Sequence, residues 1–145
     1  LLRWTIFQVL VGNTDAHAKN LSFFCGPEGL SLAPAYDIVC ALVYARQFDQ
    51  TLALAIGDAF DYSELSPYEW ANFAHQCELQ PRLVARELKA MSTRVLDALE
   101  AVLAEARVQG APHSILEALR ETIGDQCRRH LSFAADVPRA YATLL

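Results

Sequence analysis

The chain has 145 residues, 53% of them hydrophobic, and a formal net charge of -5 at pH 7. Its length matches one ordinary domain, and its apolar content is enough for a sizeable core and excludes a disordered tail. The acidic balance argues against non-specific binding to nucleic acid, and no apolar run reaches the roughly 18 residues that a membrane helix needs.

The cysteine pattern points to a reducing compartment. Cysteines occur at positions 25, 40, 77 and 127, with no C-x-x-C pair and no histidine at ligand spacing, so we expect buried, reduced thiols. No signal peptide is visible, and these features together predict a cytoplasmic protein that does not bind a membrane. The chain also opens without Met inside an apolar helical pattern, from which we expect that residue 1 is not a native start.

The first half of the sequence predicts one helix followed by short strands. Apolar residues recur at helical spacing over residues 2–12, and Gly12 and Asn13 end this helix. Residues 21–34, with GPEG as the turn, predict a β-hairpin whose Phe and Leu side chains are half-buried. The segment TLALAIG (51–57) predicts a further short strand.

The second half predicts helices with clear start signals. Ser66 at the N-cap, with Glu69 three residues later, forms a capping box that begins a helix ending near residue 78. Residues 81–110 open with Pro, close with Gly and carry an apolar stripe at three- and four-residue steps, so they predict a long helix. A second capping box at Ser114 predicts a helix near 114–132 and a short terminal element after it. The fold class indicated is mainly α (α+β).

The octet NTDAHAKN (13–20) places polar groups between two apolar segments. Each residue taken alone has a structural interpretation, because Asn and Asp after a helix often form caps or turns. Asp15 and Asn20 together have the D-x-x-x-x-N spacing of a phosphotransfer loop. There, an Asp orients the attacking hydroxyl and an amide oxygen reaches a Mg²⁺ on the phosphates. Lys19 can offset charge that develops on the phosphoryl group.

Asp37 is the predicted second acid of such a site. It stands alone in the apolar segment APAYDIVCA, where a carboxylate is costly unless it is paired or bound to metal. The predicted hairpin would return the chain, and Asp37 with it, to the loop at 13–20. The alternative is that Asp37 is the N-cap of a helix formed by IVCALVYA, and the sequence leaves both interpretations open.

Two other chemistries have weaker support. Asp15 and His17 could bind a transition metal with a distant histidine, but no H-x-x-x-H or H-x-x-E-H spacing accompanies them. A Cys–His nucleophilic site built on Cys25 or Cys40 lacks a local signature. We expect the remaining histidines to face solvent or lie at helix ends: His75, His113 and His130.

LVGNTDAHAKNLSFF, followed by LSLAPAYDIVCA, closely resembles the C-terminal lobe of HipA-type serine/threonine kinases, the toxins of bacterial toxin–antitoxin pairs. TLALAIGDAFDYSELSPYEWANFA is similar to the next segment of that family, a short strand, a Gly and a helix carrying Trp. The resemblance covers most of the chain and is specific in residues 10–40. It implies a kinase-like C-lobe over residues 1–145, with the catalytic loop, hairpin and metal-binding Asp in 1–65 and a helical subdomain in 66–145.

The resemblance also implies roles for individual residues. Asp15 would be the catalytic base, because it matches the Asp of the family's N-x-D-x-H-x-K-N loop, and Lys19 would assist it. Asn20 and Asp37 would hold Mg²⁺. The residues implied to contact ATP are His17, Lys19, Asn20, Tyr36 and Asp37.

The same resemblance implies partners and a missing part. The family phosphorylates a Ser or Thr hydroxyl of a protein, with an aminoacyl-tRNA synthetase as one known target class. Its usual partner is a small DNA-binding antitoxin, through which DNA is reached indirectly. This sequence has no Gly-rich ATP loop and no strand Lys in a V-A-I-K setting, which in the family belong to an N-terminal lobe. We therefore expect a C-lobe fragment that is inactive alone.

Two alternative functions remain. The helical half could be a binding module for an antitoxin or DNA with a degenerate kinase site, for which Arg128, Arg129 and the basic face of residues 81–110 are the motivation. A small-molecule phosphotransferase of the kinase-like superfamily is the other, although such enzymes usually have an H-G-D arrangement where this chain has NTDAH.

Overall fold

A computed structural model of the chain describes residues 1–44, 47 and 50–144. Its helices are α1 (Leu2–Leu10), α2 (Pro67–Gln76), α3 (Pro81–Val108), α4 (His113–Phe133) and α5 (Val137–Tyr141). Its strands are β1 (Phe23–Gly26), β2 (Gly29–Leu32), β3 (Thr51–Ile56) and β4 (Ala59–Asp61). One-turn 3-10 helices span Ala18–Asn20 and Ala41–Tyr44. The mainly α (α+β) fold class predicted from the sequence is confirmed.

The first helix ends where the sequence predicts. Gly12 has φ +75°, a left-handed conformation that favours glycine after a helix. The N–H groups of Gly12 and Asn13 then bond back to the carbonyls of Val9 and Gln8. This reversal turns the chain out of α1 and into the polar octet.

The first hairpin forms as predicted, but its predicted burial is wrong. β1 pairs antiparallel with β2, from Phe23 opposite Leu32 to Gly26 opposite Gly29. All eight strand residues are exposed, and Phe24 keeps 61% of its surface. Strand propensity reflects the shape of Phe and Leu, whereas burial needs a second layer. The described residues do not place such a layer on either face of this ribbon.

A second hairpin accompanies the predicted strand. β3 is confirmed, and β4, which the sequence reading missed, pairs with it antiparallel. Gly57 at the turn has φ +62°, and a Cβ there would lie 2.6 Å from the Glu69 carbonyl oxygen. The next residue, Asp58, accepts a hydrogen bond from Asn72 Nδ2 at 2.9 Å and fastens the turn to α2. The Gly-Asp pair between two apolar runs was the available signal for this turn.

One hydrophobic core joins the helices and β3. Trp70 of α2 lies at its centre with no exposed surface, and it meets Phe73 and His130 edge to face. The long helix α3 packs against α1 and α4, which explains its predicted apolar stripe. Other core residues with almost no exposed surface are Ile6, Leu10, Ile56, Leu65, Val84, Leu88, Cys127 and Val137.

Of two helix starts predicted from capping residues, the start of α2 is correct and that of α4 is wrong. Ser66 Oγ accepts the Glu69 N–H at 3.3 Å, so the N-cap of α2 is confirmed. The other half of the predicted capping box is wrong, because Glu69 Oε2 accepts the Asp58 N–H at 2.8 Å instead of the Ser66 N–H. The predicted capping box at Ser114 is wrong, because α4 begins at His113 with Pro112 as its N-cap. The carbonyl of Pro112 accepts the first helical N–H groups, and its backbone is extended (φ -60°, ψ 136°). Proline fixes φ near the value that a helix start needs.

The predicted burial of the thiols is only partly correct. All four cysteines are free, but Cys25 and Cys77 are exposed, Cys40 is half-buried and Cys127 alone of them is buried. Cys25 lies on the exposed β1–β2 ribbon, which explains its exposure. Within the described ranges, no helix combines the length and apolar character that crossing a bilayer requires.

The distant histidines differ in environment. His75 and His113 are exposed, as expected, whereas His130 is in the last turn of α4 but has no exposed surface. Its Nδ1 lies 2.8 Å from the Gln126 carbonyl oxygen, and its Nε2 is buried without a partner among the described residues. Burial disfavours the charged imidazolium and lowers the pKa of His130 to about 4.

His130 predicts a loss of stability in acid. Its folded-state pKa lies below the unfolded value, so the unfolded chain binds the extra proton between these two values, and stability falls as pH drops from about 6.5 to 4. Urea unfolding at pH 7.5 and 4.5 should show about 2–3 kcal/mol more loss for the wild type than for His130→Leu. Equal losses in the two proteins would contradict this origin of the acid sensitivity.

Candidate active site at the 13–20 loop

The polar octet forms a short loop that the core anchors on two sides. The Thr14 carbonyl accepts the Ala53 N–H of β3 at 2.8 Å. The Gly12 carbonyl accepts the Leu42 N–H at 3.3 Å, and the Leu42 side chain lies close against Gly12. A 3-10 turn at Ala18–Asn20 closes the loop before β1. These bonds hold residues 12–20 between α1, β3 and the segment that carries Asp37.

The two predicted metal ligands lie in direct contact. Asn20 Nδ2 donates a hydrogen bond to Asp37 Oδ2 at 2.8 Å, across the first hairpin. Asn20 Oδ1 accepts the His17 N–H at 2.9 Å, and Asn20 is nearly fully buried while Asp37 is exposed. The fold therefore brings Asn20 and Asp37 together, with the amide nitrogen facing the carboxylate.

Asp37 has an unusual backbone conformation. Its φ is +57°, in the left-handed region that costs a non-glycine residue on the order of 1–3 kcal/mol. Glu78, at φ +54°, directly follows the C-cap of α2, where such a conformation is common. Asp37 follows no helix and begins none, so its interpretation as an N-cap is wrong. Strained residues of this kind cluster at functional sites.

Tyr36 contacts the loop through its hydroxyl group. Its Oη donates a hydrogen bond to the Lys19 carbonyl at 2.7 Å and lies 3.1 Å from Ser22 Oγ. The aromatic ring is exposed. Tyr36 thus fixes the main chain of Lys19, whose own side chain is exposed and forms no ion pair with the described residues.

Asp15 and His17 occupy the outer side of the loop. The Asp15 side chain is 78% exposed, and its Oδ1 lies 3.9 Å from His17 Nε2. His17 is half-buried, and its Nδ1 has no hydrogen-bond partner among the described residues. The carboxylate of Asp15 is therefore accessible to a hydroxyl group from outside the chain.

The sequence reading missed the contribution of Asn13, which it assigned only to the end of α1. The side chain is buried, and Nδ2 donates to Gln8 Oε1 at 2.8 Å and to the Asp37 carbonyl at 3.3 Å. Its Oδ1 accepts the Asp15 N–H at 3.1 Å. The available signal was its place as the first residue of the octet, but its partners are distant in sequence.

The donor set limits which metal this site could hold. No group of three His, Cys, Asp or Glu side chains within the described ranges is placed to hold a metal ion. Asp37 offers carboxylate oxygens, of which Oδ1 has no hydrogen bond from the described residues. The amide oxygen of Asn20 accepts the His17 N–H and becomes available to a metal only if the amide turns. Magnesium commonly takes one or two carboxylates together with substrate phosphates and water. The residues present therefore fit a Mg²⁺ ion that is shared with a nucleotide.

The arginines that suggested a nucleic-acid surface have partners within the fold. Arg129 donates to the carbonyls of Tyr62, Ser63 and Leu65 at 2.7–3.1 Å. Arg128 pairs with Asp125 on the same helix at 2.7 Å. Arg129 thus serves to fasten the residues after β4 to α4, and its charge is directed inward.

Comparisons with known proteins identify a family model and several relatives that this chain matches. Residues 1–101 match the family model of the HipA-like C-terminal domain. The serine/threonine-protein kinase toxin HipA of Shewanella oneidensis is 33% identical over 138 residues, which is 94% of this chain and 32% of that protein. A putative kinase of Sinorhizobium fredii is 31% identical over 103 residues, 71% of this chain and 24% of that protein.

A solved structure gives the same result for the fold. The complex of Shewanella oneidensis HipA with HipB and its operator DNA contains a chain that superposes with a TM-score of 0.83 at 33% identity. The match covers 95% of this chain and 32% of that chain. The present chain spans a third or less of the length of the curated relatives that it matches. Its kinase-like C-lobe fold and its sequence agree, and the chain belongs to the HipA-like C-terminal domain family.

Proposed function

We propose that this domain is the C-terminal lobe of a Mg²⁺-ATP-dependent serine/threonine protein kinase of the HipA toxin type. The observation that carries the proposal is the contact between Asn20 and the strained Asp37, beside an exposed Asp15. Such a site can place a metal-bound phosphate next to a base. Homology to a named kinase toxin over almost the whole chain supports the same reaction.

In this proposal, Asp15 orients the attacking Ser or Thr hydroxyl and accepts its proton. Its exposure supports the role, because a base must reach a hydroxyl that arrives from another protein. Lys19, exposed in the 3-10 turn that closes the loop, would offset charge on the transferring phosphoryl group. His17 would line the phosphates on the same side.

Mg²⁺ would be held by Asp37 together with the amide oxygen of Asn20. When bound, the ion supplies positive charge that neutralises the ATP phosphates. For Asn20 to turn its oxygen toward the ion, the hydrogen bond from its nitrogen to Asp37 and the one that its oxygen accepts from the His17 N–H must both give way. Tyr36 would contribute by holding the Lys19 main chain in place.

The acceptor hydroxyl would reach Asp15 through an adjoining cleft. This open cleft has a volume of about 720 Å³, and it borders Asp15 but not Asn20 or Asp37. Described residues that line it are Thr14, Asp15, Val39, Ala41, Tyr44, Gln47, Thr51 and Ala53. The cleft is open to solvent beside Asp15, so a side chain of a substrate protein could enter it.

We also propose that the domain acts with a preceding N-terminal lobe. The sequence has no Gly-rich ATP loop or strand lysine, and the matched relatives are about three times as long. The exposed ribbon β1–β2 supports this, because Phe23, Leu30 and Leu32 share one of its faces and are open to solvent, and contiguous apolar surface usually marks a contact with another body.

This arrangement predicts that the isolated chain is inactive. Incubation with [γ-³²P]ATP and Mg²⁺ should label protein when the full-length kinase is present, and EDTA should abolish the labelling. The 145-residue chain should give no labelling above background, because half of the nucleotide cleft is missing. Robust labelling by the isolated chain would contradict the two-lobe proposal, but it would leave the roles proposed for the site residues unchanged.

The family also suggests partners for the full-length protein. The relative in the solved complex is bound to HipB and operator DNA, so we propose an antitoxin partner through which DNA is reached indirectly. We propose a cytoplasmic protein substrate, with aminoacyl-tRNA synthetases as the first class to examine. The alternative of a degenerate site on a DNA-binding module has less support, because Arg128 and Arg129 are engaged within the fold.

A further inference from the structure

The buried side chain of Asn13 links three parts of the candidate site. It is 2% exposed and has hydrogen bonds from both ends of its amide. Nδ2 donates to Gln8 Oε1 of α1 at 2.8 Å and to the Asp37 carbonyl at 3.3 Å, and Oδ1 accepts the Asp15 N–H at 3.1 Å. One rigid amide therefore connects the core helix with both functional acids.

The end of helix α1 does not account for these contacts. Gly12 supplies the left-handed conformation, and the backbone N–H of Asn13 makes the bond to the Gln8 carbonyl at 2.9 Å. Any residue other than proline could make that backbone bond. The side chain instead forms hydrogen bonds with the main chains of Asp15 and Asp37. The need for an amide at position 13 therefore comes from the candidate site and not from the end of the helix.

The contact with Asp37 has a further consequence. Asp37 holds a left-handed backbone, and its carbonyl has Asn13 as its partner while its carboxylate has Asn20. Two amides from the same loop thus fix the two ends of this residue. Losing the bond to the carbonyl frees Asp37 to relax toward an ordinary conformation and moves its carboxylate.

We infer that Asn13 is a positioning residue, which sets the placement of Asp15 relative to Asp37 and thereby the metal affinity of the site. This inference rests on the proposed function. Asn13 acts through the backbone of the two acids and touches no reacting atom. Hydrogen-bond partners that orient metal ligands typically change metal affinity or activity by roughly 10- to 100-fold when removed.

Asn13→Asp isolates the contact with Asp37. The new carboxylate still accepts the Asp15 N–H, and Gln8 can rotate its amide so that its unpartnered Nε2 donates to it. At the Asp37 carbonyl, however, an oxygen replaces the donor, and the bond becomes a repulsion. Gln8→Met is the matched control, because it removes the other partner of the same nitrogen and leaves the bonds to Asp15 and Asp37 intact. Asn13→Ser adds no buried charge and covers the case in which Asn13→Asp does not fold.

The test measures Mn²⁺ binding by electron paramagnetic resonance to the full-length kinase with a non-hydrolysable ATP analogue, alongside the phosphotransfer rate and urea unfolding. We expect Asn13→Asp and Asn13→Ser to weaken Mn²⁺ binding by roughly 10- to 100-fold and to slow transfer. Gln8→Met should lose comparable stability but bind Mn²⁺ nearly as the wild type does.

Three results would overturn the inference. Wild-type Mn²⁺ affinity in both Asn13 variants would exclude the positioning role while the proposed function stands. Weakening in proportion to lost stability, with Gln8→Met weakened equally, would show that Asn13 is only part of the packing. A wild-type kinase that neither binds Mn²⁺ nor transfers phosphate would remove the proposed function and this inference together.

Discussion

Replacing Asp15 with Asn should lower the phosphotransfer rate of the full-length kinase by roughly 10²–10⁴-fold, while the affinity for ATP stays near that of the wild type. The reason is that Asn keeps the size and the backbone bond to Asn13 but cannot accept the proton of the attacking hydroxyl. Because the side chain is 78% exposed, the substitution should leave the fold unchanged.

The matched control for this change is Asp125→Asn. Asp125 is also an exposed acid, 75% accessible, but it pairs with Arg128 on α4 and lies outside the loop. Single-turnover transfer from [γ-³²P]ATP and ATP binding by calorimetry should separate chemistry from binding. A full rate in Asp15→Asn, or an equal loss in Asp125→Asn, would count against Asp15 as the base.

Replacing Trp70 with Ala should destabilise the domain by about 3–5 kcal/mol, a large share of the 5–15 kcal/mol that holds a typical domain folded. Trp70 of α2 is fully buried and packs against α4, with the ring centroids of Phe73 and His130 at 5.7 and 6.0 Å. Its removal leaves a cavity that neighbouring helices cannot close without moving.

Phe60→Ala provides the comparison for Trp70. Phe60 is an aromatic residue of β4 with 54% of its surface exposed, so its loss should change stability by about 0.5 kcal/mol or less. Urea unfolding followed by circular dichroism measures both. Similar urea midpoints of unfolding for Trp70→Ala and Phe60→Ala would show that the core is not centred on Trp70.

Local signals predicted the positions of most elements. Ser66 as an N-cap, Gly12 after α1 and the Pro and Gly that bracket α3 each act within a few residues, so the sequence displays them directly. The prediction of Ser114 as an N-cap was wrong because Pro112, two residues earlier, has the extended backbone that the start of α4 requires. β4 was missed because three residues carry too little pattern to stand out.

Burial depends on what lies opposite an element, and the sequence does not state this. Phe24 and Leu30 have the composition of a half-buried strand, yet the ribbon that contains them is open on both faces. His130 shows the reverse, because its polar ring lies in the core against Trp70. In both cases tertiary packing gives the residue a burial that differs from the average for its type.

The candidate site was partly predictable. Asp15, Asn20 and Asp37 carry spacing and chemical signals, and the structure brings Asn20 and Asp37 into contact. Their roles in catalysis stay predictions. The side-chain bonds of Asn13 span from α1 to the segment beyond the hairpin, and only the folded arrangement reveals them.

The central claim is that Asp15 and Asp37 together support phosphate transfer from Mg²⁺-ATP. The most direct measurement is the time course of ³²P incorporation from [γ-³²P]ATP by the full-length protein, wild type beside the double variant Asp15→Asn with Asp37→Asn. We predict Mg²⁺-dependent labelling by the wild type and none above background by the double variant. Undiminished labelling by the double variant, or no labelling by the wild type, would contradict the claim.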